Sequence, residues 1–279
     1  MSMLSFTIDI ETCIGCGQCA SDCPAMIISM ETNLPTISSD LEQFCIRCMH
    51  CVAICSEGSV SILGYGPDQG EELKGKSLPK PEQMELMIKG RRATRNYQDR
   101  NVDPVRIEKL LEVASHAPSG HNDRGLIYTL LDDKGLVYDL REKAFDELEK
   151  LIDAGNLPEG MEMFIDIIAA WKQFNKDILF RGAPHLLIVS APAENASPLH
   201  DSIIALTTFE LYCASWGLGT IWNGLATLTI SELVPSLKTM LAIPEDHEIG
   251  YAMGFGRPAI NYKRTINRGL PRINRVTAL

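Results

Sequence analysis

At 279 residues the chain is long enough for one or two domains with a sizeable core. Its hydrophobic share of 45% and charged share of 22% are those of an ordinary globular protein, and no run of about eighteen apolar residues is present to span a membrane. A formal net charge of −10 argues against a nucleic-acid partner. The opening MSMLSFTIDIETC has no basic segment followed by an apolar one, and the expectation is a cytoplasmic protein.

The first chemistry-bearing stretch reads CIGCGQCASDCP, answered after a spacer by CIRCMHCVAICS. Cys13, Cys16, Cys19 and Cys23 are followed by Cys45, Cys48, Cys51 and Cys55, the same C-x2-C-x2-C-x3-C step twice. Soft thiolates at this spacing wrap an iron–sulfur cubane, three from one tight loop and a fourth from a short helix. In the two-cluster arrangement the fourth Cys of each run serves the other cluster. We therefore assign Cys13, Cys16, Cys19 and Cys55 to one 4Fe-4S centre, and Cys45, Cys48, Cys51 and Cys23 to a second. Disulfide frameworks belong to secreted chains, and a zinc site does not call for the three-residue step before the fourth Cys. Residues 1–64 thus resemble bacterial-type two-cluster ferredoxins, although Cys55 is followed by Ser56 where Cys23 is followed by Pro24.

Charge is uneven. Residues 1–64 carry one base, Arg47, against seven acids, whereas residues 257–279 carry Arg257, Lys263, Arg264, Arg268, Arg272 and Arg275 with no acid. Such a basic tail suits a solvated end, a phosphate site or a surface for the acidic N-terminal part.

A strand is expected at 60–63, then a Gly- and Pro-rich linker at 65–81 that includes Gly66, Pro67, Gly70, Gly75 and Pro79. Met84, Met87 and Ile88 share one face of a helix from Pro81 to Gly90. Asp103 and Pro104 cap a second helix, whose stripe is Ile107, Leu110, Leu111, Ala114 and Ala117. A strand at 127–131, helices at about 135–153 and 161–177, and a buried strand at 185–191 follow. Residues 201–216 are apolar on nearly every face, which marks a core helix or a subunit interface. GLGTIWNG reads as a turn, 231–241 as a helix capped by Ser231, and 248–255 as a strand. Helices and strands mix without strict alternation, favouring an α+β sandwich over a doubly wound sheet.

Within that order four pieces carry a second resemblance. They are RRATRNY (Arg91, Arg92, Ala93, Arg95), APSGHN (Pro118, Ser119, Asn122), GLGTIWNG (Trp222, Asn223, Gly224) and GFGRP with its basic tail (Lys263, Arg264). Together they are similar to the FMN-dependent nitroreductase family, making residues 82–279 a three-layer α/β/α sandwich behind the ferredoxin domain. The resemblance implies a flavin phosphate held by Arg91, Arg92, Lys263 and Arg264, with Arg95 and Arg268 nearby, where forked guanidinium donors suit phosphate oxygens. It places Ser119 and Asn122 at the polar edge of a flavin in the other subunit, hence an obligate homodimer. It brings the backbone near Trp222, Asn223 and Gly224 to the ring, although Trp222 equally suits core packing. The chain departs from the family in two places: Ala93 stands where many members have Ser, and Asp123, Arg124 and Gly125 stand where many have Gln and Trp. Cys213 reads as an inert core thiol, and His116 and His121 carry weak signals for proton donation.

The implied activity is that of an iron–sulfur flavoprotein oxidoreductase. Electrons would enter from an external low-potential donor, pass through two 4Fe-4S clusters to FMN, and reach a small organic acceptor such as a nitroaromatic. The competing readings are a non-catalytic carrier or redox sensor serving a protein partner, and a domain that fragments its own flavin.

Overall fold

The computed structural model describes residues 4–73 and 78–278, so Gly75 of the expected linker lies outside the described residues. The chain divides into two compact units. The first runs up to Leu78 and takes in His121–Asp123; the second comprises Pro79–Gly120 and everything from Arg124 onward.

In the first unit β1 (Thr7–Ile8) pairs antiparallel with β4 (Val60–Ser61), and β2 (Ile28–Ser29) with β3 (Thr36–Ile37). Short helices α1 (Gln18–Ser21) and α2 (His50–Ala53) follow the two cysteine loops. Both loops bend through left-handed backbone at matching places: Gly15 and Gly17 at φ 65° and 72°, Arg47 and Met49 at φ 56° and 60°. Only the first loop meets that conformation with glycine. At Gly15 a side chain is doubly excluded, because a Cβ there would lie 2.7 Å from the Asn33 carbonyl oxygen. Leu4, Ile27, Ile28, Val52, Val60 and Ile62 form the core beneath the loops. Tyr65 packs against that core and Pro67–Gln69 form a 3-10 turn, so the start of the Gly- and Pro-rich stretch is ordered chain of this unit.

The second unit opens with α3 (Pro81–Gly90) and α4 (Pro104–Ala114). Asp103 caps α4 by accepting from the Val105 N–H at 3.0 Å, and Ile107, Leu110 and Ala114 form its buried stripe. Its sheet is antiparallel throughout, in the order β5-β6-β8-β7: β5 (Ile127–Leu131), β6 (His185–Pro192), β8 (His247–Gly256) and β7 (Gly219–Trp222). Strand alternation splits β6 between two cores. Leu186 and Ile188 join a cluster with residues of α5 (Lys134–Asp153) and α6 (Met163–Phe174). Leu187 and Val189 face the other way, against α4 and α7 (Pro198–Ser215). A sheet between two helical layers is the α+β sandwich expected from the order of elements. Among the described residues no helix is long and apolar enough to cross a membrane.

Two local expectations are corrected. GLGTIWNG is not only a turn: Gly219–Trp222 is the edge strand β7, where Thr220 and Ile221 are buried and pair with β8. Ser231 caps no helix. The chain there runs from α8 (Gly224–Leu228) through a π-helical turn (Thr229–Leu233) to α9 (Ser236–Met240), and the Ser231 hydroxyl donates to the Thr227 carbonyl four residues back.

Candidate functional site

The eight clustered cysteines line two separate cavities of the first unit. One is bounded by Cys13, Cys16, Cys19 and Cys55, the other by Cys45, Cys48, Cys51 and Cys23. The fourth cysteines cross over in this lining: Cys23 and Cys55 lie two residues beyond α1 and α2, and each borders the cavity of the other run's loop. Backbone N–H groups of Ser59 and Arg47 donate to the sulfurs of Cys55 and Cys45 at 3.2 and 3.4 Å, the kind of contact that tunes a cluster potential. Burial pushes the Cys51 thiol up to about 11 and raises that of Cys19, so a metal taken by these thiols would displace their protons. Among the described residues no three Cys, His, Asp or Glu side chains stand close enough to share one metal ion; a cubane spreads its thiolates over a wider shell.

In the second unit Arg91 and Arg92 leave the end of α3 and line two adjoining cavities. Lys89, Arg268 and residues 265–270 of the tail complete the first; Thr94, Gly219, Thr220, Asn261 and Tyr262 contribute to the second. Segment and strand are locked together, since the Thr94 N–H donates to the Thr220 carbonyl at 2.8 Å. A Cβ at Gly219 would overlap the Thr94 hydroxyl, so this glycine permits the close approach. Arg92 is oriented by its own turn: Nη1 donates to the carbonyls of Lys89 and Arg91 at 2.7 and 2.6 Å. Its Nη2 is enclosed and has no hydrogen-bond partner in the protein, which leaves a charged donor free for an acceptor. Arg91 is tied down instead, with Nη1 2.9 Å from Oε1 of the buried Glu210 on α7. Sequence reasoning missed Glu210, a single acid inside an apolar run.

The remaining expected residues are scattered. Lys263, Arg264 and Arg95 are exposed and line neither cavity, whereas Arg268 does; Ala93 bridges to Thr220 beside them. Pro118 is exposed, and the Ser119 hydroxyl accepts from the Arg124 N–H at 3.0 Å. Asn122 falls in the first unit, where its Nδ2 donates to the Ile46 carbonyl at 2.9 Å. Trp222 packs edge-to-face on Tyr251, with ring centroids 5.3 Å apart. Asn223 caps α8 through Oδ1, leaving Nδ2 buried without a partner. A Cβ at Gly224 would come 2.8 Å from the Tyr251 hydroxyl oxygen, so Tyr251 already requires glycine there. Cys213 is fully buried, and burial holds its thiol well above the usual range, as an inert core residue requires. His116 and His121 are exposed.

Comparison with known proteins follows this division. A 4Fe-4S dicluster domain matches residues 5–56. An uncharacterized ferredoxin of Methanocaldococcus jannaschii is 32% identical over 71 residues, 25% of this chain and 91% of that protein. The sandwich is similar to a nitroreductase of Bacteroides fragilis solved with bound FMN, at a TM-score of 0.56 and 20% identity over 69% of this chain and 99% of that one. A nitroreductase of Desulfitobacterium hafniense, also solved with FMN, gives 0.54 and 20% over 69% and 98%. The nitroreductase family itself matches residues 88–257, more than half of the sequence. With a ferredoxin-type dicluster domain in front of it, this chain belongs to the nitroreductase family.

Proposed function

We propose that the protein is an iron–sulfur flavoprotein oxidoreductase that draws electrons from an external low-potential donor and reduces a small organic electrophile, a nitroaromatic being one class. The observation that carries this reading is the pairing, in one chain, of two cavities each lined by four cysteines with a nitroreductase-family unit whose Arg92 presents an unpartnered guanidinium nitrogen. Cys13, Cys16, Cys19 and Cys55 would hold one 4Fe-4S cluster, and Cys45, Cys48, Cys51 and Cys23 the other. Arg91 and Arg92, with Arg268 from the tail, would hold the phosphate of FMN; Lys263 and Arg264 remain secondary candidates. The donor chemistry fits, because a dianionic phosphate takes several charge-assisted N–H bonds and the lining of that cavity contains no acid. When bound, clusters and flavin supply the exchange between single electrons and electron pairs. The contribution of the protein is to fix the thiolates, grip the phosphate and leave room for an acceptor.

A homodimer belongs to the same reading. Helix α7 covers its own core yet leaves Leu199, Ile203 and Ile204 exposed, an apolar strip suited to a second copy.

Anaerobic purification with iron and flavin analysis tests the cofactors. Rapid mixing of the dithionite-reduced protein with nitroaromatics, quinones, halogenated phenols and activated alkenes tests the activity. Stoichiometric FMN and multiple turnovers with one class support it. Absence of flavin, or no reoxidation by any class, overturns it, and the second outcome favours a carrier to a protein partner.

A further inference from the structure

Helix α7 is apolar on nearly every side, yet it buries two carboxylates, Asp201 and Glu210. A buried carboxylate is costly to desolvate unless it is paired, so each must be held by a partner of its own. Asp201 accepts from the Gly120 N–H at 3.0 Å. Glu210 takes two donors on one oxygen: Arg91 Nη1 at 2.9 Å and the Thr220 hydroxyl at 3.1 Å. Thr220 belongs to β7, and its carbonyl accepts the Thr94 N–H three residues beyond Arg91. Helix, edge strand and arginine segment therefore meet at one carboxylate oxygen.

We propose that Glu210 is a positioning residue of the phosphate site, fixing the direction in which Arg91 presents its guanidinium to a phosphomonoester. This rests on the reading of the Arg91–Arg92 cavity as the place where FMN phosphate binds. A free arginine side chain samples many rotamers, and restraining it beforehand removes an ordering cost from ligand binding. Arg91 spends one Nη1 donor on Glu210 and keeps other N–H groups, while its side chain is 31% exposed where it lines both cavities. Arg92 is oriented by backbone carbonyls and needs no such partner. The two arginines are thus held by different means, and only Arg91 depends on a distant residue.

The test is equilibrium binding of FMN and of riboflavin, which lacks the phosphate, to flavin-stripped protein with its clusters retained. Wild type prefers FMN. Glu210→Leu is expected to lose about tenfold of that preference with riboflavin affinity kept, the change expected from one charge-assisted hydrogen bond. Glu210→Gln, which keeps an acceptor oxygen, recovers part of it, and serves alone through a smaller loss if the leucine variant does not fold. In an Arg91→Ala background neither substitution at 210 changes the preference further, because Glu210 acts through Arg91. An unchanged or increased preference in both variants, equal losses for FMN and riboflavin, or the same loss without Arg91 overturns the proposal. Wild type binding FMN no better than riboflavin overturns the phosphate reading beneath it, a distinguishable result.

Discussion

The most consequential single residues are those whose polar atoms are buried for a reason the sequence does not display. His185 is one. Its Nε2 accepts the Val102 N–H at 2.8 Å, which places the ring proton on Nδ1, and the imidazole stacks on Phe255 in the core. Burial lowers its pKa, with partial opposition from Asp132. A group whose folded pKa lies below its unfolded value, about 6.5, gives stability that is present above that value and lost as pH falls toward the lowered folded one. The expected outcome is a melting temperature for the second unit that declines below about pH 6.5. His185→Gln should flatten that part of the profile in thermal melts from pH 5 to 8. Cys23 gives a second prediction: Cys23→Ala should cut bound iron by about half, one cluster of two, and leave flavin content unchanged in the same sample. The cysteines were legible because ligand spacing is a local property of the chain. Glu210 and His185 were not, since their partners, Arg91 and Val102, lie far away in sequence and only the folded backbone brings them near.

Among the elements, the two cysteine loops make the sharpest contrast. They share a backbone path, but Gly15 and Gly17 in one are answered by Arg47 and Met49 in the other, all at positive φ. A non-glycine residue in that region costs about 1 kcal/mol, so the second loop carries strain that the first avoids. Arg47→Gly should relieve it and retain both clusters, read as unchanged iron content and a slightly slower loss of visible absorption under chelator. Gly15→Ala should do the opposite, because its Cβ meets the Asn33 carbonyl as well as the unfavourable φ, and iron content should fall. Element types were mostly readable from periodicity: α4 with its Asp103 cap, β5 and β6 stand where pattern and capping placed them. β7 was obscured because Gly217 and Gly219 signal a turn, whereas the glycines serve a left-handed bend and a close packing against Thr94. The helix expected at 231–241 was broken by a π turn, a packing compromise that polarity patterns do not record.

At the scale of the whole molecule, the exposed apolar strip of α7 argues for assembly. Ile203→Glu combined with Ile204→Glu should convert a dimer to a monomer in sedimentation at micromolar concentration. Both residues are more than a third exposed, so the change should cost the fold less than the same change at the buried positions of α7, and the melting temperature checks this. A flavin-loaded monomer in the wild type would remove the shared-site reading. The double burial of β6 has its own consequence. Its alternate residues are the common wall of both cores, so neither helical layer can open without stripping one side of the same strand. The central amides of β6, at Leu187 and Ile188, should therefore exchange with solvent deuterium only when the entire sandwich opens. Their exchange rates then measure the global stability of that unit, and a cavity cut on either side of the sheet should accelerate them equally for equal loss of stability.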